Sequence, residues 1–265
     1  MRIHSFAIAA LSFVAIGCTD LTKGDDIDSA VITVATFSSG AGSYQISPIG
    51  LFYEKQNLGY TVPTAGACAT RPFLEGDLGQ ISGFGTMDVG PHLLARLPAR
   101  EDTLYGVTQV GIRLYKLASI GGVPHQPGDT LTIGIPQSPR FPESSISIRT
   151  AEAFTFEPVP VPAVNQPLTV TWTDNAEAGS MMHFSLRYAN EFSTGVLNEQ
   201  VVCVFADDGS GTIDGSFLSG WVNSVAGERQ AVATRVRARE VQPAAKKRVT
   251  IISTFQSPPT SAPVS

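Results

Sequence analysis

The chain has 265 residues, a formal net charge of -5 and only 15% charged residues, against 25 Gly and 18 Pro. That balance excludes a coiled coil and a long disordered chain, and suits short strands joined by turns. Seven Lys or Arg fall within residues 227–248 against Glu228 and Glu240, which leaves the remainder strongly acidic, excludes a global nucleic-acid footprint and predicts no nucleic-acid partner.

The N-terminus has a basic start at Arg2, an apolar run from Phe6 to Ile16 broken only by Ser12, and then Gly17-Cys18. Residues 1–17 therefore read as an export signal. The apolar run is shorter than the ~20 residues that span a bilayer, and Asp20, Asp25, Asp26 and Asp28 follow, which argues against a retained transmembrane helix. Ala15-Ile16-Gly17-Cys18 resembles the bacterial lipobox, in which small residues precede a cysteine that receives a diacylglyceryl group. The resemblance implies lipidation at Cys18, with Thr19 directing the protein to the outer membrane. Ala15 stands where that motif most often has Leu, and Ala15 with Gly17 also suits an ordinary signal peptidase, which would leave Cys18 unmodified. Acyl chains contribute about 0.8 kcal/mol per buried methylene, so the membrane is the first expected partner. Residues 18–29 then form a polar, lipidated tether.

From Val31 onward, β-branched and aromatic clusters recur between Gly and Pro, predicting strands over 31–37, 44–53, 104–110, 112–117 and 130–135. Leu93, Leu94 and Leu97 have near-helical spacing and make Pro91–Leu97 a helical candidate. Residues 121–129 read as a Gly- and Pro-rich turn. Alternating prolines at Pro158, Pro160 and Pro162 favour an extended segment and mark a boundary. The expected division is a β-rich domain over 30–157, a β-sandwich over 158–256 and a disordered tail over 257–265.

In the second half, strict alternation puts Leu168, Val170 and Trp172 on one face, then Met182, Phe184, Leu186 and Tyr188, with His183 and Arg187 expected outward. Val201 to Phe205 is apolar on both faces and predicts a central strand. Phe217 to Val222 suggests one packed helical turn, and 230–241 with 248–255 a closing hairpin. Strand spacing fits an all-β, immunoglobulin-like antiparallel β-sandwich, arranged as two packed β modules.

With Cys18 assigned to lipid, Cys68 and Cys203 remain as an even pair in an oxidising compartment and are the disulfide candidate; two separate buried thiols are the alternative. Arg235, Arg237 and Arg239 alternate with small apolar residues, so three guanidinium groups line one strand face. They are candidate anion-binding residues for phosphate, sulfate or an acidic glycan, or else a solvated face that discourages edge pairing. Residues 206–214 resemble the middle of an EF-hand loop, with Gly211 at the glycine position. Ala206 and Phe217, however, occupy the positions of the strongest oxygen ligands, which favours a polar turn over a calcium site. No zinc spacing, nucleophile elbow, phosphate loop or dinucleotide fingerprint accompanies His92, His125 and His183, so no catalytic residues, cofactor or metal are expected and the chain reads as no enzyme.

The segment Pro167 to Trp172, then Cys203 ahead of Asp208-Gly209-Ser210, Thr212-Ile213 and Phe217-Leu218, resembles uncharacterised secreted β-sandwich proteins and lipoproteins of soil and gliding bacteria. The likeness covers about ninety residues and implies no activity. The expected function is that of a cell-envelope lipoprotein with a structural or binding role, whose partner is an envelope glycan or another envelope protein. The rivals are an adhesion or anionic-glycan module using the Arg-lined strand, and a secreted hydrolase with an unrecognised site.

Overall fold

The structure, a computed structural model, describes residues 27–40, 42–56, 58, 62–73, 86–109, 111–119, 121–174, 178–190, 196–224 and 228–261. The export signal, Cys18 and most of the expected tether lie outside the described residues, as do residues 262–265 of the tail. Asp28 and Ser29, expected in the tether, already belong to the first strand.

The strands are β1 (Asp28–Gly40), β2 (Ser43–Tyr53), β3 (Cys68–Pro72), β4 (His92–Leu97), β5 (Arg100–Gln109), β6 (Ile112–Leu117), β7 (Val123–His125) and β8 (Thr130–Ile135). They continue as β9 (Ser144–Arg149), β10 (Leu168–Thr171), β11 (Ser180–Tyr188), β12 (Glu199–Ala206), β13 (Ser210–Ile213), β14 (Arg229–Ala244), β15 (Lys247–Gln256) and β16 (Thr260–Ser261). Among the described residues one short helix, α1 (Ser219–Asn223), follows a 3-10 turn at Gly215–Phe217. The fold is all-β and sandwich-like, its large sheets antiparallel and not closed into a barrel.

Contacts divide the chain into two compact units: Met1–Val62, Leu78–Ala151 and Arg237–Thr254 form the first, and Pro63–Asp77, Glu152–Val236 and Phe255–Ser265 the second. The expected linear boundary at 157/158 gives way to an exchange of segments. Strand β3 pairs with β12 and takes its segment into the second unit, while β15 runs beside β1 and takes 237–254 into the first.

In the first unit the strands run β15-β1-β2-β6-β5-β4-β8-β9. Paired residues share a face, so the registers Ile32↔Gly50, Leu104↔Leu117, Leu93↔Leu104, Ala95↔Ile133 and Ile133↔Ile146 carry one core across the sheet. A slip of one residue would turn this set toward water. Phe52 anchors it, with edge-on contacts to Tyr115 at 5.4 Å and Phe141 at 5.3 Å. The buried Tyr115 hydroxyl accepts from the Val89 N–H at 2.9 Å and faces the Gly90 carbonyl at 2.9 Å and the Asp88 carboxylate at 3.0 Å.

The helical candidate Pro91–Leu97 is overturned: residues 92–97 form β4, hydrogen-bonded to β5 on one side and β8 on the other. Leu93 and Ala95 face the core, and His92, Leu94 and Arg96 the opposite side. Two ladders of backbone hydrogen bonds outweigh a leucine spacing that favours a helix.

In the second unit β3-β12-β11-β14 form one sheet and β10-β13 a second. Leu168, Val170 and Trp172 are buried, as alternation predicts, and Trp172 meets Phe205 of the larger sheet at 6.0 Å between ring centroids. Both faces of Val201–Phe205 are buried, and Trp221 of α1 is fully enclosed. His183 departs from expectation: only 2% of it is exposed, because the face of β11 that carries it is covered as well. Arg187 stacks on the Phe73 ring at 4.5 Å. The tail is also corrected. Ser257 is buried and bonds Ala233 in both directions, and β16 pairs with β14 at Gln230↔Ser261 and Ala231↔Thr260. Those pairs satisfy backbone groups that a disordered tail would leave to water.

Candidate functional site

An open groove of about 490 Å³ lies on the outer face of the first unit, above β4, β8 and β9. The registers Leu94↔Gly134 and Gly134↔Ser145 form its floor, with Arg96↔Thr132↔Ser147 on the next row. His92 and Glu143 share the lining, and neither side chain has a hydrogen bond or ion pair among the described residues. Gly134 makes the depression: a Cβ there would stand over the outer face, in ordinary contact with Leu94 Cβ at 3.6 Å. Beside the groove, Tyr105 pairs with His92 across β5 and β4 and is 51% exposed. Arg96 is neutralised by Glu101 at 2.5 Å, and the Thr132 and Ser147 hydroxyls are joined at 2.7 Å. The arrangement offers donors, acceptors and one aromatic flank around a small apolar floor. Sequence reading missed it because its members come from three segments, 92–96, 134–136 and 143–145, that only strand pairing brings together. No local signal marked the outer face, because 91–97 reads as helical and Leu94 breaks the alternation.

The three candidate arginines do not form one exposed anion site. Arg235 is fully buried in the second unit, its Nε 2.6 Å from Asp207 Oδ2 and its Nη2 3.0 Å from Oδ1. Its Nη groups also donate to the carbonyls of Glu152, Ala153 and Thr173, and its guanidinium lies 5.0 Å from the Phe154 ring. Arg237 is buried too, and exposed Arg239 donates to the Ser147 carbonyl at 2.7 Å. Lys247 pairs with Asp28, and Arg248 with Glu240 at 3.2 Å. The basic tract is thus largely matched by internal acceptors, which sequence-local counting misses because the partners lie far away in the chain.

Asp207 explains the aspartate-rich turn. Its carboxylate accepts from Trp172 Nε1 at 2.8 Å and Ser180 Oγ at 2.6 Å in addition to Arg235. Burial by itself would raise its pKa, but these hydrogen bonds and the Arg235 charge outweigh it and hold the carboxyl below its ordinary range. Asp208 caps its own turn toward Ser210, and Asp214 caps the 3-10 turn through the Ser216 N–H at 2.8 Å. The three carboxylates therefore serve different partners. Gly211, the residue matched to the EF-hand glycine, is required by packing: a Cβ would lie 2.5 Å from the Phe205 ring.

The disulfide candidate is bonded. Cys68 and Cys203 are directly opposite each other in the β3–β12 register, with Cα atoms 4.1 Å apart. His125 and His183 are both interior. Burial pushes His125 down to about 4, partly opposed by Asp129. Burial, and then the Arg71 charge, push His183 to about 4.

These features define an all-β, disulfide-bonded protein with a polar groove on a sheet face and a buried ion-pair centre. No protein-family model matches the chain, and no curated protein does either.

Proposed function

We propose that the protein is exported and serves, without catalysis, as a lipid-anchored binding or structural component of the cell envelope, held through acylated Cys18 at the outer membrane. The observation that carries this reading is the Cys68–Cys203 disulfide, which joins residues 135 apart. Such a bond persists in oxidising compartments and is rare where thiols are kept reduced. It accords with an export signal and with a cysteine set in which Cys18 alone is left for lipid. The groove of the first unit is the binding surface in this reading, and the envelope supplies its ligand.

The test is the intact mass of the detergent-extracted mature protein. Diacylglyceryl and acyl mass on Cys18, with Cys68 and Cys203 protected from alkylation until reduction, supports the proposal. A fatty-acid-free form released to the medium overturns it. A hydrolase is the second reading, favoured by His92 and Glu143 sharing one groove. Water has open access there, however, so charge developing in a transition state gains little from the site. Release of new reducing ends from a bound glycan would favour the hydrolase.

A further inference from the structure

We infer that the groove over β4, β8 and β9 is a binding site for a neutral oligosaccharide, with Tyr105 as its aromatic flank and Gly134 as its floor. The inference deepens the binding role proposed above and rests on it only for the origin of the ligand. Three observations carry it.

The first is charge. Arg96 is paired with Glu101, so Glu143 is the one carboxylate lining the groove without an ion pair among the described residues. The lining therefore offers no unmatched cation to phosphate, sulfate or uronate groups, while a carboxylate accepts well from sugar hydroxyls. The second is the polar pattern. Ser145, Thr132 and Ser147 place hydroxyls along two adjacent rows of the same face, and His92 and Arg96 add ring and guanidinium nitrogens. A polyhydroxyl ligand both donates and accepts, so it can satisfy this mixture, which a hydrocarbon cannot. The third is Tyr105. A tyrosine 51% exposed on a strand, next to His92, presents apolar ring area with a polar tip, the surface that the C–H face of a pyranose covers while its hydroxyls remain hydrogen-bonded.

Gly134 allows a sharp test. Its φ is not positive, and a Cβ makes only ordinary contacts, so Gly134→Val fills the groove without straining the backbone. Glycine within a strand is itself weakening, so the variant should fold at least as stably. The full mature protein, purified in detergent, is titrated calorimetrically with hexasaccharides of β-1,4-glucose, β-1,4-N-acetylglucosamine and α-1,4-glucose, and with heparin. The expected result is binding of at least one neutral hexasaccharide in preference to heparin, weakened about tenfold or more by both Tyr105→Ala and Gly134→Val, with Tm not lowered. Absence of neutral binding, preference for heparin, or neutral binding that survives Gly134→Val overturns the inference. Binding is read independently of acylation. An unlipidated protein that binds glucan sinks only the envelope anchor, and an acylated one that binds none sinks only the groove.

Discussion

Asp207 and Arg235, 28 residues apart, meet side-on within the second unit, Nε to Oδ2 at 2.6 Å and Nη2 to Oδ1 at 3.0 Å, with both side chains almost wholly removed from water. Two desolvated charges are tolerated there because every direction is answered. Trp172 and Ser180 donate to the carboxylate, and three carbonyls accept from the guanidinium. The pair links β14 to the turn after β12, to the residue after β10 and to the first residue of β11.

Removing one partner leaves the other charge buried and unpaired, so Arg235→Met and Asp207→Leu should each destabilise the protein by about 3–5 kcal/mol. The double substitution should recover much of that loss, since two apolar residues of similar volume replace the pair. Urea unfolding of the two single variants and the double variant checks this. Additive losses would show that the two side chains do not act as a pair.

Reducing the Cys68–Cys203 bond frees a segment 135 residues long, for which the chain-entropy model gives about 5 kcal/mol. A Cys68→Ala/Cys203→Ala variant should therefore unfold at much lower urea, with the second unit affected first. An unchanged midpoint would mean that β3 is held by backbone pairing with β12 instead.

Acid should act on each unit through one histidine. His125 lies in the first unit and His183 in the second, and both are held near 4, well below the ordinary 6.5. In His125 the Nε2–H donates to Thr150 Oγ1 at 2.9 Å, because that hydroxyl already donates to the Asp129 carbonyl and accepts from the Gly128 N–H. Nδ1 is left buried without a hydrogen bond among the described residues. Between pH 6.5 and about 4 the unfolded chain binds the extra proton, so stability falls as pH drops, by about 1.4 kcal/mol per pH unit for each histidine. Asp207 adds a loss below the ordinary carboxyl range, where its depressed group finally protonates. Unfolding measured from pH 7 to 4 should show this slope, flattened in the first unit by His125→Gln and in the second by His183→Gln. A flat profile in the wild type would contradict it.

Arg239 should matter for association more than for anion binding. It donates to the Ser147 carbonyl on β9, the last strand of its sheet, and so covers an acceptor that another strand could use. Arg239→Ala should raise concentration-dependent light scattering while leaving heparin affinity unchanged. The triple change of Arg235, Arg237 and Arg239 to Ala should instead fail mainly in stability, because the first two are interior.

Much of the fold could be read locally. Alternation at Leu168–Trp172 and Met182–Tyr188, and the apolar block Val201–Phe205, gave the correct buried faces, because a period of two is written into adjacent residues. The same rule failed for His183, where a second face is covered by elements remote in sequence. It was masked at His92–Leu97, where Leu93 and Leu97 suit either period and Leu94 suits the helical one.

The amino-acid order by itself determined the all-β class, the turn positions and the pairing options of three cysteines, since these follow from local period, backbone freedom and counting. Only the tertiary structure decided which charges are spent internally and which face water. Asp207 finds Arg235, Lys247 finds Asp28, and His92, Gly134 and Glu143 come together, through strand registers that bring distant segments side by side. Electrostatic and hydrogen-bonding partners are set by distance in space, which the spacing of residues along a chain does not encode.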